Sequence, residues 1–179
     1  MALGRADFEL TVDELRMVVR YAAESAEAVL PLFEEVATDD RRPCAAIEAA
    51  WMFAHGAGRT NLQRITAVAA HRAASEVSDE AAQHAARAAG DAAAAAYLHP
   101  LANATQVGHI LRAVAGAARA AELRAGGDPH VGDALIELAC NRATATLIDV
   151  LNRYPRALVG VSRVTDLMKT LDESLRMPH

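Results

Sequence analysis

The chain has 179 residues, of which 53% are apolar and only 4% aromatic, and its formal net charge is −5. This length allows a buried core without metals or disulfides, while the acidic balance argues against broad nucleic-acid binding, which needs a basic surface. No run of eighteen apolar residues is free of charge and the first residues lack the apolar core of a signal peptide, so we expect no membrane span and a cytoplasmic protein.

The first helix is predicted to begin after Thr11, which forms a capping-box pattern with Glu14. Apolar residues then recur at helical spacing as far as Phe33. Pro31 lies within this pattern, and we expect it to kink or divide the helix because proline lacks a backbone donor.

A second helix is predicted to begin at Pro43, and a third follows Thr60, which forms another capping-box pattern with Gln63. Gly56 and Gly58 favour a helix stop between these two helices. The apolar side chains at helical spacing in the third helix are predicted to form its apolar stripe: Leu62, Ile65, Ala69 and Ala73.

The fourth helix contains the alanine-rich stretch 84–100, HAARAAGDAAAAAYLHP. Ser78 is predicted to cap this helix, and Pro100 closes it. Because alanine is small, one face of the helix is predicted to let a neighbouring backbone come close, and the stretch 113–121 is the favoured neighbour. The alanines of this face are Ala82, Ala86, Ala89, Ala93 and Ala96.

The second half of the chain is predicted to form three further helices. One covers 103–125 and is stopped by Gly126 and Gly127. The next covers 129–154, and its broad apolar surface indicates a central position in the fold. Ser162 is predicted to cap the last helix.

These elements predict an all-α fold. No segment alternates with a period of two, connections are short and no linker divides the chain. We therefore expect an N-terminal tail over 1–10 and a single compact domain over 11–176, in which about seven helices pack as an alanine-rich bundle or array.

Polar residues of the fourth helix fall on one face, because Glu80, His84, Arg87 and Asp91 are spaced by about whole turns. Two interpretations remain open. The face is either solvated, with exposed i,i+4 pairs, or part of a polar pocket between helices. The candidate pocket residues are His71, His84, Arg87, Asp91, His99 and His109.

Four acidic residues surround the junction between the first two helices. They are Glu34, Glu35, Asp39 and Asp40, and two arginines follow them. The cluster is interpreted either as a solvated loop or as a contact surface for a basic protein, because clustered acids speed association with positively charged partners.

Motifs that carry chemistry are missing. The sequence has no Glu-x-x-His or HExxH pair, no zinc-finger spacing, no GxxxxGK[ST] loop and no GxSxG elbow. Cys44 and Cys140 lie far apart without CxxC spacing, which is typical of reduced thiols. We therefore expect no metal and no cofactor, and the sequence favours a protein that is not an enzyme.

The chain resembles the immunity-five-like group of bacterial proteins from polymorphic toxin systems. The resemblance is carried by VLPLFEE (29–35), RPCAAIEAAW (42–51), AAHRAA (69–74), HAARAAGDAAAAAYLHPLA (84–102), TQVGHI (105–110) and GDALIE (132–137), within a span of about 9–176. Members of this group are inferred to bind and neutralise a cognate protein toxin, so the resemblance implies a binder rather than an enzyme. Similar sequences also carry the label exonuclease SbcC, but this chain lacks the ATP-binding motif, long coiled coil and CxxC hook of such a protein.

Two other functions remain as hypotheses. One is a helical scaffold or regulatory protein that acts through protein–protein contacts or self-association as a homo-oligomer. The other is a small-ligand binder or enzyme that uses the histidine and aspartate residues of the candidate pocket.

Overall fold

The computed structural model describes residues 7–177, and this part of the chain is all-α, with eight α-helices, one 3₁₀ turn and no strand. Residues 1–6 of the N-terminal tail expected over 1–10 lie outside the described residues. The helices are α1 (Val12–Glu34), α2 (Arg42–Ala54), α3 (Asn61–Glu76), α4 (Glu80–Ala94), α5 (Ala104–Arg124), α6 (Pro129–Arg142), α7 (Ala145–Asn152) and α8 (Arg163–Leu175), and the 3₁₀ turn Ala95–Tyr97 follows α4.

Most helix starts lie where the sequence predicts them. Both capping boxes are present: the Glu14 backbone N–H donates to the Thr11 hydroxyl at 3.2 Å, and Thr60 forms the same motif with Gln63. The cap of α4 is one residue later than predicted, because Asp79 rather than Ser78 accepts the Ala82 backbone N–H, at 2.8 Å.

Pro31 does not divide α1, which continues to Glu34. Proline removes the hydrogen bond that would reach the Glu27 carbonyl, and both residues lie on the exposed face of the helix. Water can therefore satisfy that carbonyl, so the helix tolerates proline near its end.

The prediction of a single central helix over 129–154 is wrong. Ala143 is extended, with φ −65° and ψ 132°, and Thr144 caps a separate helix, α7, by accepting the Leu147 backbone N–H at 3.2 Å. α6 lies at the surface, where Leu138 is 62% exposed.

The centre of the fold is formed by α1, α4 and α5, which all pack against one another. The predicted alanine face of α4 is completely buried. A Cβ atom placed on Gly116 of α5 would lie 3.7 Å from the Cβ of Ala88 and 3.9 Å from the His84 carbonyl oxygen. α4 and α5 therefore approach closely, but at Gly116 the contact is made by the side of α4 that carries His84 and Ala88, not by the predicted alanine face.

The apolar stripe predicted for α3 is mostly at the surface, since Leu62 and Ile65 are 39% and 59% exposed. Instead α3 buries a face of small residues (Ala67, Ala70, Ala73 and Ala74) against its neighbours, together with Gln63, whose amide donates to the Ala49 carbonyl at 3.1 Å. Small side chains let α3 approach α4 closely, and this contact outweighs burial of the larger residues.

A fully buried carboxylate joins three helices at the far side of α5. Glu122 accepts a hydrogen bond from Arg163 of α8 at 2.9 Å and one from Arg119 at 3.0 Å. Arg163 also pairs with Asp133 of α6 at 2.8 Å. Gly132 leaves room for this group, because a Cβ there would lie only 2.1 Å from the Glu122 carboxylate.

Across residues 7–177 we find no helix whose length and apolar character would let it cross a membrane.

Candidate partner-binding surface

The acidic junction, residues 34–40, connects α1 to α2. Asp40 lies at its end and accepts hydrogen bonds from the Arg42 guanidinium at 2.9 and 2.6 Å, which lowers the pKa of the Asp40 carboxyl. Arg42 also pairs with Glu76 at the end of α3. Through Arg42, Asp40 therefore connects the junction to α2 and α3.

The other three acids of the junction differ in their partners. Glu35 pairs with Arg124 of α5 at 2.7 Å, and both side chains are more than half exposed. Within residues 7–177, Glu34 and Asp39 form no ion pair, and Asp39 is exposed. The helix ends of α1 and α5 meet here, and their carbonyl groups add partial negative charge.

A second feature of the surface is an apolar groove of about 470 Å³. α1 and α6 form its walls and α5 its floor. The residues lining it are mostly small or apolar: Glu24, Ser25, Ala28, Val29, Val114, Ala117, Ala118, Ala121, Leu135, Leu138, Ala139 and Arg142. Sequence reasoning missed this groove because it placed the α6 segment at the centre of the fold. The feature of the sequence that could have indicated the groove is the excess of apolar residues around the α6 helix.

Arg142 closes the end of the groove away from the junction. Its guanidinium pairs with Glu24, donates to the Ser25 hydroxyl at 2.6 Å and lies over the Tyr21 ring at 4.4 Å from the ring centroid. These contacts hold the Arg142 side chain in place. At the opposite end the lining stops at Val29 of α1 and Ala121 of α5, before the acidic junction begins.

The structure brings only some of the candidate pocket residues together. His71 of α3 pairs with Asp91 of α4, with 3.3 Å between the imidazole Nε2 and the carboxylate. The His71 ring rests against Gly90, where a Cβ would lie 2.8 Å from the ring. His109 of α5 is half-buried near Asp91, and burial, reinforced by Arg112, lowers its pKa.

The remaining pocket residues form no ion pair with His71 or Asp91 among the described residues. His99 is exposed in the loop before α5, and its carbonyl accepts the Tyr154 hydroxyl at 2.9 Å. His84 lies about two turns from Asp91 along α4, where burial, then Arg87 and Arg119, lowers its pKa. Arg87 itself is exposed.

Metal ligation finds no support in the described part of the chain. No three histidine, cysteine, aspartate or glutamate side chains of residues 7–177 converge closely enough to hold a metal ion. The His71–Asp91 pair instead connects α3 to α4.

Comparison with known proteins gives one match. The model of a family described as Imm-5 like putative immunity protein matches residues 9–128. The matched segment includes the acidic junction and two sides of the groove, α1 and α5, and ends just before α6. No curated protein and no solved structure matches the chain.

Proposed function

Because the chain belongs to the Imm-5 like putative immunity protein family, we propose that it binds a cognate protein toxin and neutralises it without catalysing a reaction. The family match is the observation that carries this proposal, since it covers five of the eight helices. Neutralisation by binding needs a stable complementary surface and no catalytic group.

The acidic junction is proposed as the part of the surface that attracts the toxin. Toxins that attack nucleic acids need basic substrate sites, and an acidic protein is drawn to such a site by long-range attraction. Glu34 and Asp39 supply negative charge, and within residues 7–177 neither carboxylate forms an ion pair. Bound at the toxin's substrate site, the junction would exclude nucleic acid.

The test reverses two exposed charges of the junction with the double variant Glu35→Lys/Asp39→Lys. Its probe is an inactivated toxin domain encoded beside this gene, and the measurement is association kinetics at low and high salt. We expect the association rate to fall about tenfold or more at low salt, and the difference to shrink at high salt because the charges are then screened. Stability of the free protein should change little, since exposed ion pairs contribute little.

The matched control is Asp149→Lys/Glu173→Lys on α7 and α8. Both acids are exposed, each forms an i,i+4 pair, and the change in net charge is the same. We expect this variant to bind nearly as fast as the parent. If the two variants slow association equally, net charge rather than the junction is responsible, and equal rates for all three proteins would place the interface elsewhere.

A further inference from the structure

A pocket of about 460 Å³ lies where the start of α1, the loop between α2 and α3, and the chain after the 3₁₀ turn meet. The residues that line this loop pocket come from 10–16, 53–59 and 98–100. We propose that the loop pocket binds a small molecule with a carboxylate group and an apolar body. The site shares no residue with the acidic junction, and its test needs no toxin.

The first argument is the size and floor of the loop pocket. Its volume falls within the range of about 300–1,000 Å³ that is typical of small-molecule sites. Leu15, Phe53 and Leu98 line it and are at most 7% exposed, so they form an apolar floor that continues into the core. An apolar ligand body placed on this floor would be removed from water, which favours binding.

The second argument is the charge of the lining. Arg16 and Arg59 are cationic and His99 adds an imidazole, while none of the described residues that line the loop pocket is acidic. The chain as a whole carries 23 acidic and 18 basic residues, so the lining is opposite in sign to the molecule. Thr11 and Val12 also bring the positive end of the α1 dipole to the pocket. These charges favour an anionic ligand group.

Arg59 keeps donors for such a group. Its guanidinium donates to the Ala96 carbonyl at 3.0 Å and lies 5.4 Å from the centroid of the Tyr97 ring. Within residues 7–177 it forms no ion pair, so most of the five N–H groups of this guanidinium are not used by the fold. The planar guanidinium matches a carboxylate through two parallel hydrogen bonds, which favours a carboxylate over a neutral polar group.

Arg16 adds positive potential from a fixed position. It donates to the Gly56 carbonyl at 3.0 Å, and its guanidinium lies 5.8 Å from the centroid of the Phe53 ring. Its carboxylate partner is Asp13, at 3.1 Å, whose side chain is 92% exposed. Because water weakens an exposed ion pair, this contact leaves much of the Arg16 charge effective at the loop pocket.

The experiment titrates the isotopically labelled protein with sodium octanoate, at concentrations where octanoate is monomeric, and follows backbone amides by NMR. Gly58 lines the loop pocket and reports binding, while Gly127, in the turn after α5, is the reference. We expect a saturable shift of the Gly58 signal and a constant Gly127 signal. 1-Octanol lacks the charge and sodium acetate lacks the chain, so each should bind at least about fivefold more weakly.

The first variant removes a charge from the lining. Arg59→Gln should weaken octanoate binding at least about fivefold, because the charged donor pair is lost. The matched control is Arg87→Gln on α4, since Arg87 is also exposed, forms no ion pair within residues 7–177 and does not line the loop pocket. This control should bind octanoate like the parent.

A second pair of variants adds a charge without removing a donor. Val12 lines the loop pocket and is 54% exposed, so the fold should accept either a carboxylate or an amide there. Val12→Asp should weaken octanoate binding, most strongly at low salt, while Val12→Asn should bind nearly like the parent. Circular dichroism of each variant checks folding.

Four results would each overturn the inference. The first is no saturable shift of Gly58 with octanoate. The second is 1-octanol binding as tightly as octanoate, which would show that the charge is not used. The third is sodium phosphate binding as tightly as octanoate, which would show that the apolar floor is not used. The fourth is equal weakening by Arg59→Gln and Arg87→Gln, which would assign the effect to net charge. All four leave the proposed function untouched, because no toxin takes part.

Discussion

Glu14 acts both in a helix cap and in a tertiary contact. Its carboxylate accepts the Thr11 backbone N–H at 2.8 Å and two hydrogen bonds from Arg153, at 2.6 and 3.1 Å. Arg153 also donates to the Glu9 carbonyl at 2.9 Å. One carboxylate thus joins the start of α1 to the end of α7.

Protonation of this carboxylate should weaken the fold. The hydrogen bonds from Arg153, then that from Thr11, lower the pKa of Glu14 from 4.5 to about 2. A lowered pKa in the folded state means that the contribution to stability is complete above pH 4.5 and is lost as the pH falls toward 2. We therefore expect Glu14→Gln to be less stable than the parent at pH 7 and to lose less stability between pH 4.5 and 2. Melting temperatures across this range would check it, and parallel curves for the two proteins would contradict it.

Local residue patterns were readable from the sequence because caps depend on neighbouring residues. The two capping boxes and the cap Ser162 are confirmed. The contacts within the candidate site were harder to predict from the sequence. The positions of the acids in the junction follow from the sequence, but the pairing of Glu35 with Arg124 depends on how α1 meets α5.

At the scale of elements, the packing of α4 among its neighbours depends on the absence of large side chains. Ala89 is fully buried on the alanine face of α4. We expect Ala89→Leu to destabilise the protein by roughly 1–3 kcal/mol, because the added atoms must displace a closely packed neighbour. Urea denaturation measures this change.

The control for this prediction is Ala134→Leu, at an exposed position of α6. It adds the same atoms where solvent can be displaced, so its effect should stay within about 0.5 kcal/mol. Equal stabilities for Ala89→Leu and the parent would show that the face is looser than the structure indicates.

Two elements were misread from the sequence for physical reasons. The break between α6 and α7 has no glycine or proline, and Thr144 provides a cap where the pattern predicts a continuous helix. In α3, Leu62 and Ile65 are larger than the buried alanines, so hydrophobicity alone favours the wrong face. The groove escaped prediction because the apolar excess of the α6 segment also favours a central helix, and only the tertiary packing decides how far α6 lies from α1.

For the whole molecule, we propose that residues 11–176 fold as one domain. α5 contacts α1 and α4 on one side and α6 and α8 on the other, and the buried Glu122 carboxylate connects it to Arg163. Separating Arg163 from Glu122 would leave this fully buried carboxylate with only one of its two arginine partners, Arg119, which costs free energy, so the C-terminal helices should not separate first.

This proposal predicts a single unfolding transition. Trp51 of α2, the sole tryptophan, reports on the N-terminal half, and far-ultraviolet circular dichroism reports on all helices. In urea the two signals should change together, as expected for two-state unfolding. A helical signal that persists after, or is lost before, the tryptophan signal would show two independently folding parts.

The alanine contact of α4 with α5 also bears on how stability varies with temperature. Each alanine removes only one methyl group from water, while every residue of the two helices still buries its polar backbone. Apolar surface raises the heat capacity of the unfolded chain and polar surface lowers it. The heat-capacity change of unfolding should thus fall toward or below the low end of the usual range of about 12–15 cal/mol/K per residue. A small change flattens the curve of free energy against temperature, so this protein should keep nearly the same stability in cold and warm surroundings.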